Sequence, residues 1–86
     1  MPEYAVVLAR SARKELEALP VRIGERVLRR LEALAHAPRP PDCRKLEGSR
    51  DQWRIRIGDY RAVYRIDDAA RLIDVTIVRH RRDAYR

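Results

Sequence analysis

Three arginines lie within eight residues of the sequence, in a pattern that suits the binding of an anion. Arg54 and Arg56 are two residues apart in the segment QWRIRI, and Arg61 follows in the segment YRAVYRI. A guanidinium group keeps its positive charge at any physiological pH and presents several N–H donors in a geometry that matches phosphate oxygens. The three side chains are therefore predicted to form an anion site of the kind that holds a phosphate.

The alternation of residue types around these arginines predicts how they are positioned. In residues 52–57 the apolar side chains should point to one face of a strand, and Arg54 and Arg56 to the other. The Gly-Asp pair that follows should form a turn, so that Arg56 and Arg61 lie nearly opposite each other. Like charges in such a pair repel at a cost of up to about 1 kcal/mol, which an anion between them would offset. The alternative is an ordinary solvated sheet face, on which charge limits aggregation.

The end of the chain adds the groups that a catalytic phosphate site needs. His80 supplies an imidazole, the side-chain type best suited to proton transfer near neutral pH, Arg81 and Arg82 add positive charge, and Tyr85 supplies a phenol. This tail directly follows the last predicted strand, so it can fold back beside the arginines. Without the three arginines, the same segment would be interpreted as a frayed basic terminus.

The remaining segments predict the elements that carry these groups. Residues 3–9 (EYAVVLA) are apolar and β-branched enough to form a buried strand. Two helices should follow, at residues 11–19 and 21–37, each with an apolar stripe at helical spacing and each ended by proline. Alternation with a period of two then predicts strands at residues 52–57, 60–66 and 72–78. The order β-α-α-β-β-β indicates an α+β fold, in which a helical hairpin packs on one face of an antiparallel sheet.

Length and charge narrow the class of protein further. The chain has 86 residues, enough for one small domain, and we expect that domain to span residues 1–86. Twenty basic against thirteen acidic residues give a net charge of +7. The excess is uneven, because residues 44–86 carry twelve basic and seven acidic groups whereas residues 1–43 carry eight and six. A basic half indicates an anionic partner, either nucleic acid, an acidic protein, or both.

Composition also excludes several classes of protein. A single cysteine, Cys43, rules out a disulfide framework, and two histidines provide no zinc-ligand spacing. We therefore expect no metal and no cofactor. No apolar run is long enough for a transmembrane helix, and the first residues do not have the pattern of a signal peptide. A cytoplasmic protein without a membrane partner is expected.

Two segments together resemble a known group of proteins. KLEGSRDQWRIRIGDYRAVYRI at residues 45–66 and VRHRRDAYR at residues 78–86 are similar to the RelE/ParE toxin superfamily, and more particularly to its RelE branch of messenger-RNA endonucleases. The similarity extends over almost the whole chain, including the order of elements, and so implies a RelE-like fold. It also implies the toxin of a type II toxin–antitoxin system, which enters the ribosomal A site and cleaves mRNA there without a metal. An acidic antitoxin protein that wraps and inactivates the toxin is implied as well.

The resemblance also implies roles for particular residues. Arg54 and Arg56 fall where the family has basic residues around the scissile phosphate, and Arg61 matches its phosphate-binding arginine. Arg81 matches a catalytic arginine and Tyr85 the C-terminal tyrosine. The catalytic residues expected on this basis are Arg54, Arg56, Arg61, His80, Arg81 and Tyr85. The other basic residues expected to bind RNA are Lys45, Arg65, Arg79 and Arg82.

Cleavage by attack of the ribose 2′-OH needs a base, cations that stabilise the phosphate, and an acid that protonates the leaving 5′-oxygen. The products would be a 2′,3′-cyclic phosphate and a 5′-hydroxyl. The three sheet arginines suit the stabilising role. A free phenol has a pKa near 10 and a guanidinium one above 12, so an imidazole would transfer protons more readily than either. The residue pattern leaves open which of His80, Arg81 and Tyr85 is the acid and which the base.

Three other interpretations compete with the nuclease. A ParE-like toxin would have the same fold and inhibit DNA gyrase without cleaving RNA, but its branch is expected to lack the His-Arg…Tyr arrangement of HRRDAYR. A non-catalytic nucleic-acid-binding module would bind with strong salt dependence and would not cut. A degenerate toxin that serves only as an interaction partner is disfavoured by the complete set of candidate residues.

Overall fold

Residues 3–82 are the part of the chain that the computed structural model describes. Five strands and two helices follow one another there, in the order β-α-α-β-β-β-β. Their bounds are β1 Ala5–Leu8, α1 Arg10–Glu17, α2 Val21–Ala33, β2 Arg44–Lys45, β3 Gln52–Ile57, β4 Tyr60–Asp67 and β5 Leu72–His80. Neither helix is long and apolar enough to cross a membrane. The predicted α+β class, with two helices before the main run of strands, is confirmed.

The five strands form one sheet in the order β1-β5-β4-β3-β2, which differs from the predicted antiparallel sheet in two details. The first strand pairs in parallel with the last, so the sheet is mixed. Parallel neighbours need a long crossover connection, which the helices and the intervening strands provide here. The two-residue strand β2 is additional, and it pairs in antiparallel fashion with β3 at the other edge. Strands β3, β4 and β5 form the predicted antiparallel meander.

The core lies between the helices and one face of the sheet. Val27 and Leu31 of α2 are buried, as the helical periodicity predicts, and they pack with sheet residues such as Ile55 and Val75. Tyr64 is fully buried, and its hydroxyl donates a hydrogen bond to the carbonyl oxygen of Pro38 at 2.8 Å. Burial raises the pKa of this phenol well above its usual value. A satisfied hydroxyl at this depth ties the loop after α2 to the centre of the sheet.

A cluster of polar groups connects the start of the chain to the β4–β5 turn. The Tyr4 hydroxyl donates a hydrogen bond of 2.6 Å to Asp68, and Nη2 of Arg39 lies 2.9 Å from the same carboxylate. The bonds from Arg39 and Tyr4 hold the pKa of Asp68 below its usual value. These three residues therefore link the first strand, the loop after α2 and the turn.

The low pKa of Asp68 makes the stability of the protein depend on pH. A carboxyl group whose pKa is depressed by folding stabilises the native state above its unfolded pKa of about 4, and loses that contribution as the pH falls through the folded value. We expect Asp68→Asn to lower the urea midpoint of unfolding at pH 7. The gap in urea midpoint between the variant and the wild type should narrow as the pH falls. Glu17→Gln, an exposed change elsewhere, should show no such convergence. A gap that is constant from pH 7 to pH 2.5 would contradict the prediction.

Candidate functional site

The sheet has one face covered by helices and one open face, and the arginines singled out in the sequence lie on the open face. On β3, Arg54 and Arg56 alternate with Ile55 and Ile57, which are buried on the helix side. On β4, Arg61 is the direct cross-strand partner of Arg56. The predicted juxtaposition of these two arginines is therefore present in the pairing of the strands.

The turn between β3 and β4 fixes this register. Ile57 pairs with Tyr60, so Gly58 and Asp59 form a two-residue hairpin loop. Gly58 has a φ of 61°, and among the described residues other than glycine only Arg71 has a positive φ. A positive φ at the first of two central residues is the pattern of a type II′ turn, which suits the twist of a hairpin. A slip by one residue would move the arginines to the helix side, so this turn determines the face on which they lie.

The strand pairing extends the cluster beyond the three predicted arginines. Arg61 pairs with Arg79 of β5, so one row of arginines crosses three strands. Arg54 pairs with Arg44 of β2. Directly paired residues have Cβ atoms about 5 Å apart, which is close enough for one anion to contact two guanidinium groups. We call this group the arginine face, and its members are Arg44, Arg54, Arg56, Arg61 and Arg79.

The members of the arginine face differ in exposure. Arg56 is exposed, whereas Arg61 is partly buried, with its Nε and Nη1 atoms both inaccessible to water. A groove of about 380 Å³ lies beside β2 and β3 and is lined by Asp42, Arg44, Arg54, Arg56 and Gly58. The position of Arg61 is thus set by its surroundings, while Arg56 can adjust to a ligand in solution.

Two of the acidic residues close to this face, Glu15 and Asp42, are neutralised by arginines. Glu15 of α1 accepts a hydrogen bond from Nε of Arg79 and another, of 3.2 Å, from the backbone N–H of Val78. Asp42 lies 2.6 Å from Nη2 of Arg30, and that bond holds the pKa of the Asp42 carboxyl below its usual value. Arg79, expected to bind RNA, therefore lies in the row but carries its own counter-ion. Sequence reasoning missed Glu15, which is 64 residues away from Arg79.

The tail begins later than predicted, because β5 continues through Arg79 to His80. His80 pairs with Tyr60 on the helix side of the sheet, and the two rings meet edge to face with their centroids 5.2 Å apart. Its Nδ1 accepts a hydrogen bond of 3.3 Å from the backbone N–H of Arg82. The structure therefore separates His80 from the arginine face. The predicted strand ended at Val78, so the side on which His80 lies follows only from the pairing that extends β5 to His80.

Arg81 and Arg82 follow the end of the strand and are exposed. The backbone N–H of Arg81 donates to the carbonyl oxygen of Asp59 at 2.7 Å, which ties the start of the tail to the β3–β4 turn. The backbone of Arg81 is therefore held beside the turn, two residues along the chain from Arg79. Tyr85 lies outside the described residues.

Of the remaining expected RNA-binding residues, Arg65 lies away from the cluster, whereas Lys45 lines a groove of about 610 Å³ together with Arg44 and Arg54. Lys45 pairs with Trp53, on the helix side, and its ammonium is 6.0 Å from the centre of the indole ring. Arg65 is 3.1 Å from Asp51, beside a groove of about 410 Å³ at the far end of the open face. The basic residue of β2 that does lie on the arginine face is Arg44, which sequence reasoning missed. Only the pairing of this two-residue strand decides between Arg44 and Lys45.

Comparison with known proteins agrees with this architecture. The family model described as the ParE toxin of the type II toxin–antitoxin system parDE matches residues 6–85. The toxin in the RelE–RelB complex of Pyrococcus horikoshii OT3 is 31% identical, with a TM-score of 0.83 over 95% of this chain and 99% of that one. The RelBE2 complex of Mycobacterium tuberculosis contains a chain that is 30% identical, with a TM-score of 0.81 over 93% and 99%. The Escherichia coli RelBE complex gives 26% identity and a TM-score of 0.79 over 90% and 95%. No curated protein sequence matches the chain significantly.

The layered fold and the arginine face thus occur in a chain whose relatives are toxins that were solved with their antitoxins. Fold and comparisons together define a toxin of a type II toxin–antitoxin system. The chain belongs to the ParE toxin family, within the RelE/ParE superfamily. The resemblance that the sequence motifs carry is confirmed at this level.

Proposed function

We propose that this toxin is a metal-independent endoribonuclease that cleaves mRNA in the ribosomal A site, acting as a single domain in the cytoplasm. The observation that supports the proposal is the row of Arg56, Arg61 and Arg79 on an open sheet face, with Arg54 beside it and the backbone of Arg81 tied to the neighbouring turn. Several fixed positive charges around one point suit a phosphodiester whose negative charge increases during the reaction. Arg61 is partly buried, so its guanidinium is less mobile than that of the exposed Arg56, which suits the stabilisation of developing charge.

In the proposed reaction the 2′-oxygen attacks the phosphorus, and the bond to the 5′-oxygen breaks. The 2′-OH loses its proton to a base, and the 5′-oxygen receives one from an acid, which leaves a 2′,3′-cyclic phosphate and a 5′-hydroxyl. Arg54, Arg56 and Arg61 bind the non-bridging oxygens and stabilise the pentacoordinate phosphate. Because His80 packs against Tyr60 on the opposite face, we assign the proton transfers to the tail, through Arg81 and Tyr85.

The ribosome has a physical role in this proposal. Guanidinium and phenol groups are weak proton donors and acceptors near pH 7, so the toxin depends strongly on how its substrate is oriented. A strand held in the A site already has its translational and rotational freedom removed, and such positioning can contribute several kcal/mol to the rate. We therefore propose that mRNA and the ribosome are both partners in cleavage.

A cognate antitoxin is the other partner that we propose. The relatives from Pyrococcus, Mycobacterium and Escherichia were solved as complexes with antitoxins. An acidic protein that covers the arginine face would neutralise the same charges that stabilise the phosphate, and so inactivate the toxin. Its affinity should fall as salt rises, because exposed charges are screened.

The test of the proposed function is a primer-extension map of transcripts after brief induction of the wild-type toxin, Tyr85→Phe and Tyr4→Phe. The wild type should create new 5′ ends within translated reading frames, and the upstream fragments should end in a 2′,3′-cyclic phosphate. Tyr85→Phe removes only a phenolic hydroxyl and should greatly weaken these cuts. Tyr4→Phe makes the same change beside Asp68 at the β4–β5 turn, away from the arginine face, and should leave them intact.

The second candidate function is inhibition of DNA gyrase, which the match of the ParE toxin model to residues 6–85 favours. Growth arrest with intact transcripts, induction of the DNA-damage response and inhibition of supercoiling by purified gyrase would support it. A module that only binds nucleic acid would instead show salt-dependent RNA binding, no cuts and no effect of Tyr85→Phe.

A further inference from the structure

We propose that Arg26 of α2 forms a second phosphate-binding position behind the β3–β4 turn, and that an RNA strand on the arginine face continues around the turn to reach it. The proposal rests on the proposed function, since it concerns the path of the same RNA. It assigns a binding role to a residue on the helix side of the molecule, outside the arginine face.

The first observation is that two grooves meet at the turn. The groove on the open face has a volume of about 380 Å³ and has Gly58 in its wall. A second groove, of about 210 Å³, lies between α2 and the same turn, and we call it the rear groove. Its lining residues are Ile23, Arg26, Ile57, Gly58, Asp59 and Tyr60. A flexible strand can therefore pass from one groove to the other across a single residue that has no side chain.

The second observation is how closely Arg26 packs on the turn. A Cβ atom built on Gly58 would be 3.4 Å from Nη1 of Arg26, 3.8 Å from Cζ and 3.9 Å from Nη2. The guanidinium group of Arg26 thus lies beside Gly58, although Arg26 belongs to a helix and is exposed. A glycine at this position leaves room for that contact. The charge is in this way held at the rim of the rear groove.

The charge balance around the turn favours an anion there. The ion pairs found within residues 3–82 involve Arg30, Arg39, Arg65 and Arg79, and none involves Arg26. The acidic residue that lines the rear groove is Asp59, which is exposed and therefore screened by water. Arg22 and Arg29 are four and three residues from Arg26 on α2, so they extend the basic surface beyond the groove.

The lining of the rear groove favours a phosphodiester strand over a protein helix. A helix that docks in a groove needs exposed apolar contacts as anchors. The exposed large hydrophobic residues among those described are Val7, Val21 and Leu28, and none of them lines this groove. An RNA strand needs a cation beside its phosphates and a ring on which a base can stack, and the groove offers Arg26 and Tyr60 for these.

The proposal is tested by RNA binding as a function of RNA length. Fluorescein-labelled oligoribonucleotides of 3 and 10 nucleotides, fully 2′-O-methylated so that they cannot be cleaved, are titrated with wild-type toxin, Arg26→Gln and Arg13→Gln. Arg13 is an exposed arginine of α1 and provides the matched loss of one charge. We expect Arg26→Gln to bind the 10-mer about fivefold more weakly than the wild type does. The slope of log K against log salt concentration should also become shallower by about 0.7, the value for one phosphate contact on a single strand. Binding of the 3-mer by Arg26→Gln should be unchanged, and Arg13→Gln should match the wild type on both lengths.

The other outcomes each overturn a defined part of the argument. If Arg26→Gln and Arg13→Gln behave alike while the wild type binds RNA with strong salt dependence, the second position is wrong and the proposed function stands. If Arg26→Gln loses equal affinity for both lengths, Arg26 belongs to the first site or acts only through overall charge. A wild type that binds neither RNA overturns the second position, whereas the primer-extension map decides the proposed function independently of binding to free RNA.

Discussion

Arg61→Ala should reduce the rate of RNA cleavage by about 10²–10³-fold, the range observed when one preorganised donor to a developing negative charge is removed. Arg61 lies in the middle of the arginine row, between Arg56 and Arg79, and it is less exposed than Arg56. Its Nε and Nη1 atoms are buried, so the guanidinium is positioned before the substrate arrives. A group that needs no reorganisation in the transition state contributes more to the rate than an equally charged mobile one.

The measurement is single-turnover cleavage of a defined mRNA on programmed ribosomes, with saturating toxin, so that weaker binding does not hide a change in chemistry. Arg50→Ala is the matched control, because Arg50 is exposed and lies in the loop before β3 rather than on the arginine face. Arg61→Lys keeps the charge but not the forked donors, and its rate should fall between those of the wild type and Arg61→Ala. Equal rates for Arg61→Ala and Arg50→Ala would rule out the assigned role of Arg61.

Leu31→Ala should destabilise the fold by about 2–5 kcal/mol, the range for removing a buried leucine side chain. Leu31 is 1% exposed and lies where α2 packs on the sheet. A chain of this length has a total stability of only about 4–13 kcal/mol, so one such cavity removes a large fraction of it. The arginine face depends on the same packing, because the sheet is held in place by the helices behind it.

The same helix supplies the control, since Leu28 is 39% exposed and Leu28→Ala makes an identical chemical change. Leu28→Ala should alter the free energy of unfolding by less than about 0.5 kcal/mol. Urea denaturation followed by circular dichroism measures both variants, and each kcal/mol should correspond to about 4–8 °C in the thermal midpoint. Similar losses for the two variants would mean that α2 does not pack on the sheet through Leu31.

Local patterns in the sequence were sufficient for most of the fold. Alternation in β3 and β4 placed Arg54, Arg56 and Arg61 on one face, because side-chain direction along a strand is a property of its own backbone. The Gly58-Asp59 pair then fixed the register between two strands that are neighbours in sequence. Helical spacing likewise predicted the apolar stripe of α2, to which the buried residues Val27 and Leu31 belong. All of these features depend on residues within a few positions of one another.

Contacts between distant segments were decided only by the tertiary structure. The parallel pairing of β1 with β5 and the position of β2 at the far edge have no local signature, and β2 is only two residues long. The sequence pattern therefore indicated Lys45 as an RNA-binding residue, whereas the pairing of β2 with β3 places its neighbour Arg44 on the arginine face. Glu15 reaches Arg79 from α1, and no pattern in either segment shows that they meet.

The position of His80 and the packing of Arg26 are likewise decided by contacts between distant segments of the chain. His80 lies on the helix side because β5 continues to that residue, and the end of a strand is set by its pairing with β4 rather than by its own composition. Arg26 lies beside Gly58 although Gly58 is 32 residues further along the chain, so only the tertiary structure brings them together. The sequence alone determined the α+β class, the toxin superfamily and the three central arginines, since these follow from periodicity and local motifs. The full outline of the basic surface required the tertiary structure, because long-range packing decides which side chains share a face.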